Sequence, residues 1–329
     1  MSERATLNSV ARQAGVSRQT VSNVLNSPGI VSPDTLDRVR QVIAEQGYRA
    51  NRAARQMRTS RSQVIGLRVE PARDGVNGQV LDRFLHSLTH TAERYDHRTM
   101  LFTADDDAAE IDAYADLVAS VGVDAFVVTG THHGDRRTSW LTERGLPFVT
   151  FGRPWDAEHA HAWVDVDGAA GTEVATAHLL RRGHRRIAFV GWPAGSGAGD
   201  DRRAGWRRAL RGAGLPAGRD VAAPDGMDSG QAATADLLDS GEAATAFVCA
   251  SDSLALGVVS ELRRRGEPWD AVVGFDDTPV AQFLGLTSVR QPVAEVAATC
   301  VQQLRAVLAG ETPEPVLLTP ELVVRLPIN

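Results

Sequence analysis

Three side chains in the run AGVSRQTVSNVLN, Ala14 to Asn26, carry the chemistry of nucleobase recognition: Arg18, Gln19 and Asn23. A guanidinium forks onto N7 and O6 of guanine, and a carboxamide matches N6 and N7 of adenine. Both pairs lie on the major-groove edge. Farther along, Arg153 and Trp155 in FGRPW, with Trp163 and Trp192, combine a cation with aromatic faces suited to a pyranose ring. Taken singly, each tryptophan reads more simply as ordinary core.

Other chemistries lack their residues. All 35 basic residues are arginine, so neither a P-loop nor a Schiff base has its lysine. Cys249 and Cys300 make neither a disulfide framework nor a metal-ligand spacing, and they suit a reducing compartment. GWPAGSGAGD looks like a dinucleotide loop, but its third glycine position holds Asp200. Asp276 and Asp277 are adjacent, and adjacent side chains diverge rather than flank one glycosidic bond. No catalytic constellation, metal site or cofactor is expected.

Short helices must hold the first set outward. Thr6 is an N-cap for a helix burying Leu7, Val10, Ala11 and Ala14, and Gly15 ends it. Ser17 caps the next, whose Val21, Val24 and Leu25 face inward, leaving Arg18, Gln19, Ser22 and Asn23 outside. After the loop NSPGIV, Ser32 caps and Pro33 starts a third helix. It carries Leu36, Val39, Val42 and Ile43 on one face and stops at Gly47. Three short helices with a glycine turn between the first two make a helix-turn-helix. Residues 1–63 hold ten arginines against four acids, a net of +6, in a chain whose total is −6. A basic head on an acidic body fits a polyanion-binding module joined to something that is not one.

Beyond RTSRSQ the pattern becomes alternating strands and helices. Strands are expected over 64–69, 98–103, 124–129, 147–151, 185–191, 245–250 and 271–275, with amphipathic stretches such as 80–95 and 169–182 between them. Repeated β-α units imply parallel sheets with helices on both faces. So long a body exceeds one sheet, so two lobes are expected, with ligands in the cleft at the carboxyl ends of the strands. The 43% hydrophobic and 23% charged content is that of a soluble globular protein. No apolar run approaches the ~20 residues that span a bilayer. MSERATLNSV lacks a secretory leader's apolar stretch, and a cytoplasmic location is expected.

The run ATLNSVARQAGVSRQTVSNVLN, followed by VSPDTLDRVRQVIAEQGYRANRAARQMR, resembles the DNA-binding head of the LacI/GalR family of bacterial repressors. The resemblance implies that Arg18, Gln19 and Asn23 read bases. Ser17, Thr20, Ser22, Asn26 and Tyr48 would position the backbone, with Thr6 and Leu7 also at the DNA. It further implies a hinge helix over 51–57, where Asn51, Arg52 and Ala54 meet the duplex. Met57 stands as the minor-groove wedge where the family usually has leucine.

The segments VDVDGAAGTEVATAHLLRRGHRRIAFVG, DRRAGWRRAL, CASDSLALGVV, VVGFDD and LTSVRQP resemble the same family's effector domain. That domain is a two-lobed, periplasmic-binding-protein-like (type I) α/β body with parallel sheets. By the resemblance, Arg202 matches an arginine that holds ligand oxygens and Asp276 a ligand-binding aspartate, while Ser251 and Asp252 stand where Asn-Asp is usual. The tip EPARDGVNG departs from the family, so contacts there, such as Arg73 or Asp74, have little support.

The expected organisation is an all-α helix-turn-helix DNA-binding domain over 1–49, a hinge helix and linker over 50–62, and a two-lobed effector-binding and dimerisation domain over 63–329. The expected activity is sequence-specific repression by a homodimer on a pseudopalindromic double-stranded operator, relieved by a small-molecule effector, a sugar by family precedent. No membrane partner is expected. VVRLPIN, with no heptad tail after it, implies a dimer rather than a tetramer. The alternative is a sugar-binding transport protein with the same lobes, which leaves the basic head unexplained. A sugar-active enzyme would lack its nucleophile or metal.

Overall fold

The computed structural model describes residues 5–48, 61–69, 76, 78–156, 161–241 and 244–325. The expected hinge residues Asn51, Arg52, Ala54 and Met57, and the tip residues Arg73 and Asp74, lie outside them. The chain divides into two compact units, Met1–Ser62 and Gln63–Asn329.

In the first unit, α1 (Leu7–Ala14), α2 (Arg18–Asn26) and α3 (Pro33–Gln46) enclose a small core built on Val10, Ala14, Val21, Val24, Val39 and Tyr48. Leu7, Leu36 and Ile43 line its rim. Thr6 and Ser9 cap each other reciprocally, each hydroxyl accepting the other's N–H at 3.0–3.1 Å. Gly15 and Gly47 close α1 and α3 in the left-handed region, and Ser17 Oγ accepts from Thr20 N to start α2. Ser32 is the N-cap residue of α3, as expected, but its side chain makes no capping hydrogen bond. Its hydroxyl lies 3.0 Å from Thr35 Oγ1, and the fixed φ of Pro33 begins the helix instead. Leu25 is exposed, not inward, because Val21 and Val24 already close the contact and the next position turns to solvent. Ser9 Oγ donates to Gln46 Oε1 at 2.6 Å, stitching α1 to α3.

The second unit winds the same pattern twice. One sheet takes β1 (Val64–Arg68), β2 (Arg98–Phe102), β3 (Ala125–Thr129), β4 (Phe148–Phe151) and β5 (Trp163–Val166). The other takes β6 (Ile187–Gly191), β7 (Asp220–Ala222), β8 (Ala246–Cys249), β9 (Val272–Phe275) and β10 (Thr287–Arg290). The chain then returns: β11 (Val316–Leu318) joins the first sheet beside β5, and β12 (Glu321–Val323) joins the second beside β10. The orders β11-β5-β4-β3-β1-β2 and β12-β10-β9-β8-β6-β7 are one topology repeated. Its pairings are parallel except at the β10–β12 edge. Seven strands fall within a residue or two of their expected places; β5, β7, β10, β11 and β12 match none of the expected ranges.

Alternation along the strands supplies both cores. Ile65, Leu67 and Val127 face the helices Gln79–Glu93 and Val293–Leu308, while Phe126 and Val128 face Tyr114 and Leu141 on the opposite side. The helix Val293–Leu308 follows a second-lobe strand yet buries Val296, Cys300 and Leu304 in the first lobe. Three crossings therefore join the lobes. Asp167 N–H donates to Leu318 O at 2.8 Å, tying two of them together, an arrangement that suits a hinge. Among the described residues no helix is long and apolar enough to cross a membrane.

Candidate nucleic-acid interface and ligand cleft

Arg18 and Gln19 are exposed on the first turn of α2, and Ser22 and Asn23 are half-buried beside them. Gln19 Nε2 donates to Asn23 Oδ1 at 2.9 Å, which fixes two amides one turn apart on the outward face. The Ser17 and Thr20 hydroxyls lie 2.9 Å apart at the start of the same helix. There the free backbone N–H groups and the helix dipole favour a phosphate. Asn26 is the last residue of α2. Tyr48 is only 8% exposed, so its ring serves the head's core, and burial raises its hydroxyl. Thr6 spends its hydroxyl on the capping box, and Leu7 is half-buried at the core's rim.

Between the lobes of the second unit lies a cavity of about 420 Å³. The carboxyl ends of the strands build it. His132 follows β3, Trp155 follows β4, Asp165 lies in β5, Trp192 follows β6, Asp225 follows β7, Ser253 follows β8, Asp276 follows β9 and Gln291 follows β10. Strand ends of a doubly wound sheet are where loop side chains converge on a ligand.

Arg202 and Asp276 face each other there. Gly205 lets the helix Ala198–Gly212 press onto the helix Gly168–Arg181, since a Cβ would strike Ala169 O, and this closeness carries Arg202 inward. Its guanidinium carbon lies 3.8 Å from the Phe275 ring centre, and its Nη1 donates to Ala250 O and sits 3.9 Å from Asp276 Oδ1. Arg202 Nε and Trp192 Nε1 are buried without a hydrogen-bond partner among the described residues. An unmatched buried donor costs about 1–3 kcal/mol, a cost that an incoming ligand oxygen removes.

Asp276 and Asp277 adopt φ of 112° and 51°, a strained pair for residues other than glycine. The turn is held from behind. Asp277 lies 2.7 Å from Arg290 Nε and 2.6 Å from Arg325 Nη1, and its own N–H donates to Ser288 Oγ at 3.0 Å. Asp277 is thereby wholly buried and Asp276 is left on the cleft, the divergence expected of neighbours. Asp276 accepts from Gln291 Nε2 at 2.6 Å; burial raises its carboxyl, with Arg202 opposing.

Four expected residues sit elsewhere. Asp252 is fully buried, its oxygens taken by the Ser288 hydroxyl and Thr278 N–H, both at 2.7 Å, so it braces the loop after β9. Ser251 caps the helix Asp252–Arg265 and donates to Asp225, so its serine hydroxyl is spent; Ser253 reaches the cleft in its place. Trp163 begins β5, at the end of the strand away from the cleft, where Asp165 and Val166 point instead. Arg153 stands behind the wall, 2.7 Å from Asp165, 3.4 Å from Asp201 and 4.9 Å from the Trp155 ring centre. These carboxylates hold its guanidinium raised although burial pulls it down. Trp155 itself lines the cleft and donates to Thr131 O at 3.1 Å. Asp165, Asp201, Asp225 and Gln291 were not anticipated as lining residues.

Asp107, His132 and Asp135 approach within 4.8 Å of one another, a spacing compatible with a metal ion. Both carboxylates already pair with the buried Arg137, at 3.4 and 2.7 Å, so their oxygens are engaged by a guanidinium.

Known proteins share this architecture. The family model for bacterial regulatory proteins, lacI family, matches residues 6–51, and the periplasmic binding protein-like domain matches 176–326. HTH-type transcriptional regulator CelR of Thermobifida fusca is 34% identical across 97% of this chain and 96% of its own. The structure of a transcriptional regulator CelR–cellobiose complex is 32% identical over 99% of this chain and all of that one, with a TM-score of 0.72. The lac repressor dimer bound to operator and the anti-inducer ONPF is 25% identical over 99% of each chain, with a TM-score of 0.82. The chain belongs to the lacI family of bacterial regulatory proteins and is a helix-turn-helix, DNA-binding transcriptional regulator.

Proposed function

We propose that this regulator is a cytoplasmic homodimeric repressor whose hold on a pseudopalindromic operator is relieved when a sugar enters the cleft between its lobes. In this reading Arg18, Gln19 and Asn23 contact base edges. Ser17, Thr20, Ser22 and Asn26 set the register on the phosphates, Thr6 and Leu7 bring the start of α1 to the duplex, and the buried Tyr48 supports the head from its core. Asn51, Arg52, Ala54 and Met57, outside the described residues, contact the minor groove. Arg202 and Asp276 hold ligand oxygens, and Trp155 and Trp192 supply apolar faces. The chain binds its ligand without turning it over.

The observation that carries the reading is the pair of partnerless buried donors, Arg202 Nε and Trp192 Nε1, beside the Asp276 carboxylate in a cavity of about 420 Å³. Hydroxyls donate and accept at once, which is what such a mixture of groups asks of a ligand. The cellobiose bound by the CelR relative supports a sugar. Control requires only that the ligand prefer one lobe arrangement over another, and the three crossings supply the hinge. The test is a thermal-shift screen of the full chain against sugars and nucleosides, followed by operator titration with any hit. A ligand at 100 times its Kd adds about 2.7 kcal/mol of stability. A sugar that stabilises the fold and weakens operator binding supports the proposal; a nucleoside hit with silent sugars overturns the ligand class.

A further inference from the structure

Charge is unevenly shared around the cleft. Asp165, Asp201, Asp225 and Asp276 line it, against the single guanidinium of Arg202 among the described lining residues. The His132 imidazole, also on the wall, pairs with Asp107 at 3.1 Å. Arg153 serves two of the carboxylates from behind, at 2.7 Å from Asp165 and 3.4 Å from Asp201. Arg202 stands 3.9 Å from Asp276. Both arginines are thus engaged by carboxylates already, and the lining keeps an excess of negative charge. Burial raises the Asp276 carboxyl to about 8, so near neutral pH it is largely protonated, and the negative excess rests on Asp165, Asp201 and Asp225 against the two guanidiniums.

A phosphate or carboxylate held ~5 Å from two of these oxygens would be repelled by about 100-fold or more in affinity. A hydroxyl meets no such cost. It donates to a carboxylate oxygen and accepts from Arg202 Nε or Trp192 Nε1.

Resting on the sugar reading above, we propose that the cleft selects uncharged, hydroxyl-rich ligands and excludes their phosphorylated and carboxylated derivatives, with Asp201 and Asp225 as the excluding groups. The selectivity lies in the arrangement of carboxylates rather than in cavity size.

The experiment is calorimetric titration of the full chain with glucose, galactose and cellobiose, each beside a charged derivative: glucose 6-phosphate, galactose 6-phosphate and cellobionate. The expected result is at least one neutral binder whose charged form binds about 100-fold or more weakly. Asp201→Asn and Asp225→Asn, each first checked for retained operator binding, shrink that gap to under about tenfold. A charged form binding within about tenfold of its parent in the wild-type chain, or more tightly, overturns the selectivity. If only charged forms bind, the selectivity fails and the sugar reading stands. If no sugar of either kind binds, both fail.

Discussion

Arg153, on the loop after β4 of the first lobe, lies 3.4 Å from Asp201, on the helix Ala198–Gly212 of the second. The same guanidinium is held at 2.7 Å by Asp165 of its own lobe, so one cation is shared between carboxylates on either side of the hinge. Beside it, Trp155 of the first lobe packs on Gly197 of the second, where a Cβ would sit 2.5 Å from the indole nitrogen. Contacts that exist only when the lobes approach are those through which a cleft ligand can bias their arrangement.

Gly197→Val tests that contact. The substitution meets Trp155 and also strains a backbone at φ 65°. It is expected to hold the lobes apart and weaken effector binding by about tenfold or more, while operator affinity without effector stays within about twofold. Calorimetry and gel shift on one preparation decide it. Unchanged effector affinity would remove Trp155 and Gly197 from the closing contact.

Asp276→Ala is expected to abolish the response of operator binding to effector while leaving operator binding itself intact. Losing this hydrogen-bonding carboxyl leaves a buried ligand hydroxyl unmatched, a cost of about 1–3 kcal/mol, or roughly 5- to 150-fold in Kd. A preserved dose-response in fluorescence anisotropy refutes the assignment.

Arg137 is 1% exposed and ties Glu110, equally buried, to Asp135 at 2.9 and 2.7 Å. Arg137→Met leaves Asp135 without its guanidinium and Glu110 with Arg68 alone, at 2.9 Å, a loss of about 3–5 kcal/mol. At ~2–4 °C per kcal/mol for a unit of this size, the melting temperature falls by roughly 6–20 °C. A scanning-calorimetry shift under about 2 °C shows the network to be dispensable.

Burial pushes the His161 imidazole down to about 4, with its Nε2 3.1 Å from the Thr150 hydroxyl. The unfolded chain binds a proton near pH 6.5 that the folded chain refuses until about pH 4. Stability from this group is therefore complete above pH 6.5 and declines as pH falls through that window, by about 1–2 kcal/mol at pH 5. Denaturant midpoints at pH 7 and pH 5 measure it. His161→Gln is expected to lose less than the wild type over that interval, and an equal loss assigns the acid sensitivity to other groups.

The sequence discloses the head well because its signals are local. The Thr6 and Ser17 caps, the glycine stops and the Val21–Val24 stripe each act within a turn or two, and each appears where spacing predicts it. The cleft is legible only in part. Asp165 lies on β5, Asp225 follows β7 and Gln291 follows β10, and all three strands escape a reading based on apolar runs. They are only three or four residues long, and WVDV, DVA and TSVR are too polar or too short to register. Missing a strand means missing the ligand-facing residue at its end. The crossing of Val293–Leu308 back to the first lobe is a long-range packing choice with no local mark.

The most direct measurement compares Arg18→Ala with the wild-type chain in competitive gel shift on a selected operator and on random duplex at ~150 mM salt. The wild type is expected to prefer the operator by about 10³-fold or more. The variant should lose about 1–3 kcal/mol of that preference with little change on random DNA. Equal loss on both duplexes, or a wild type with no preference for any sequence, contradicts base reading by α2 and with it the regulatory account.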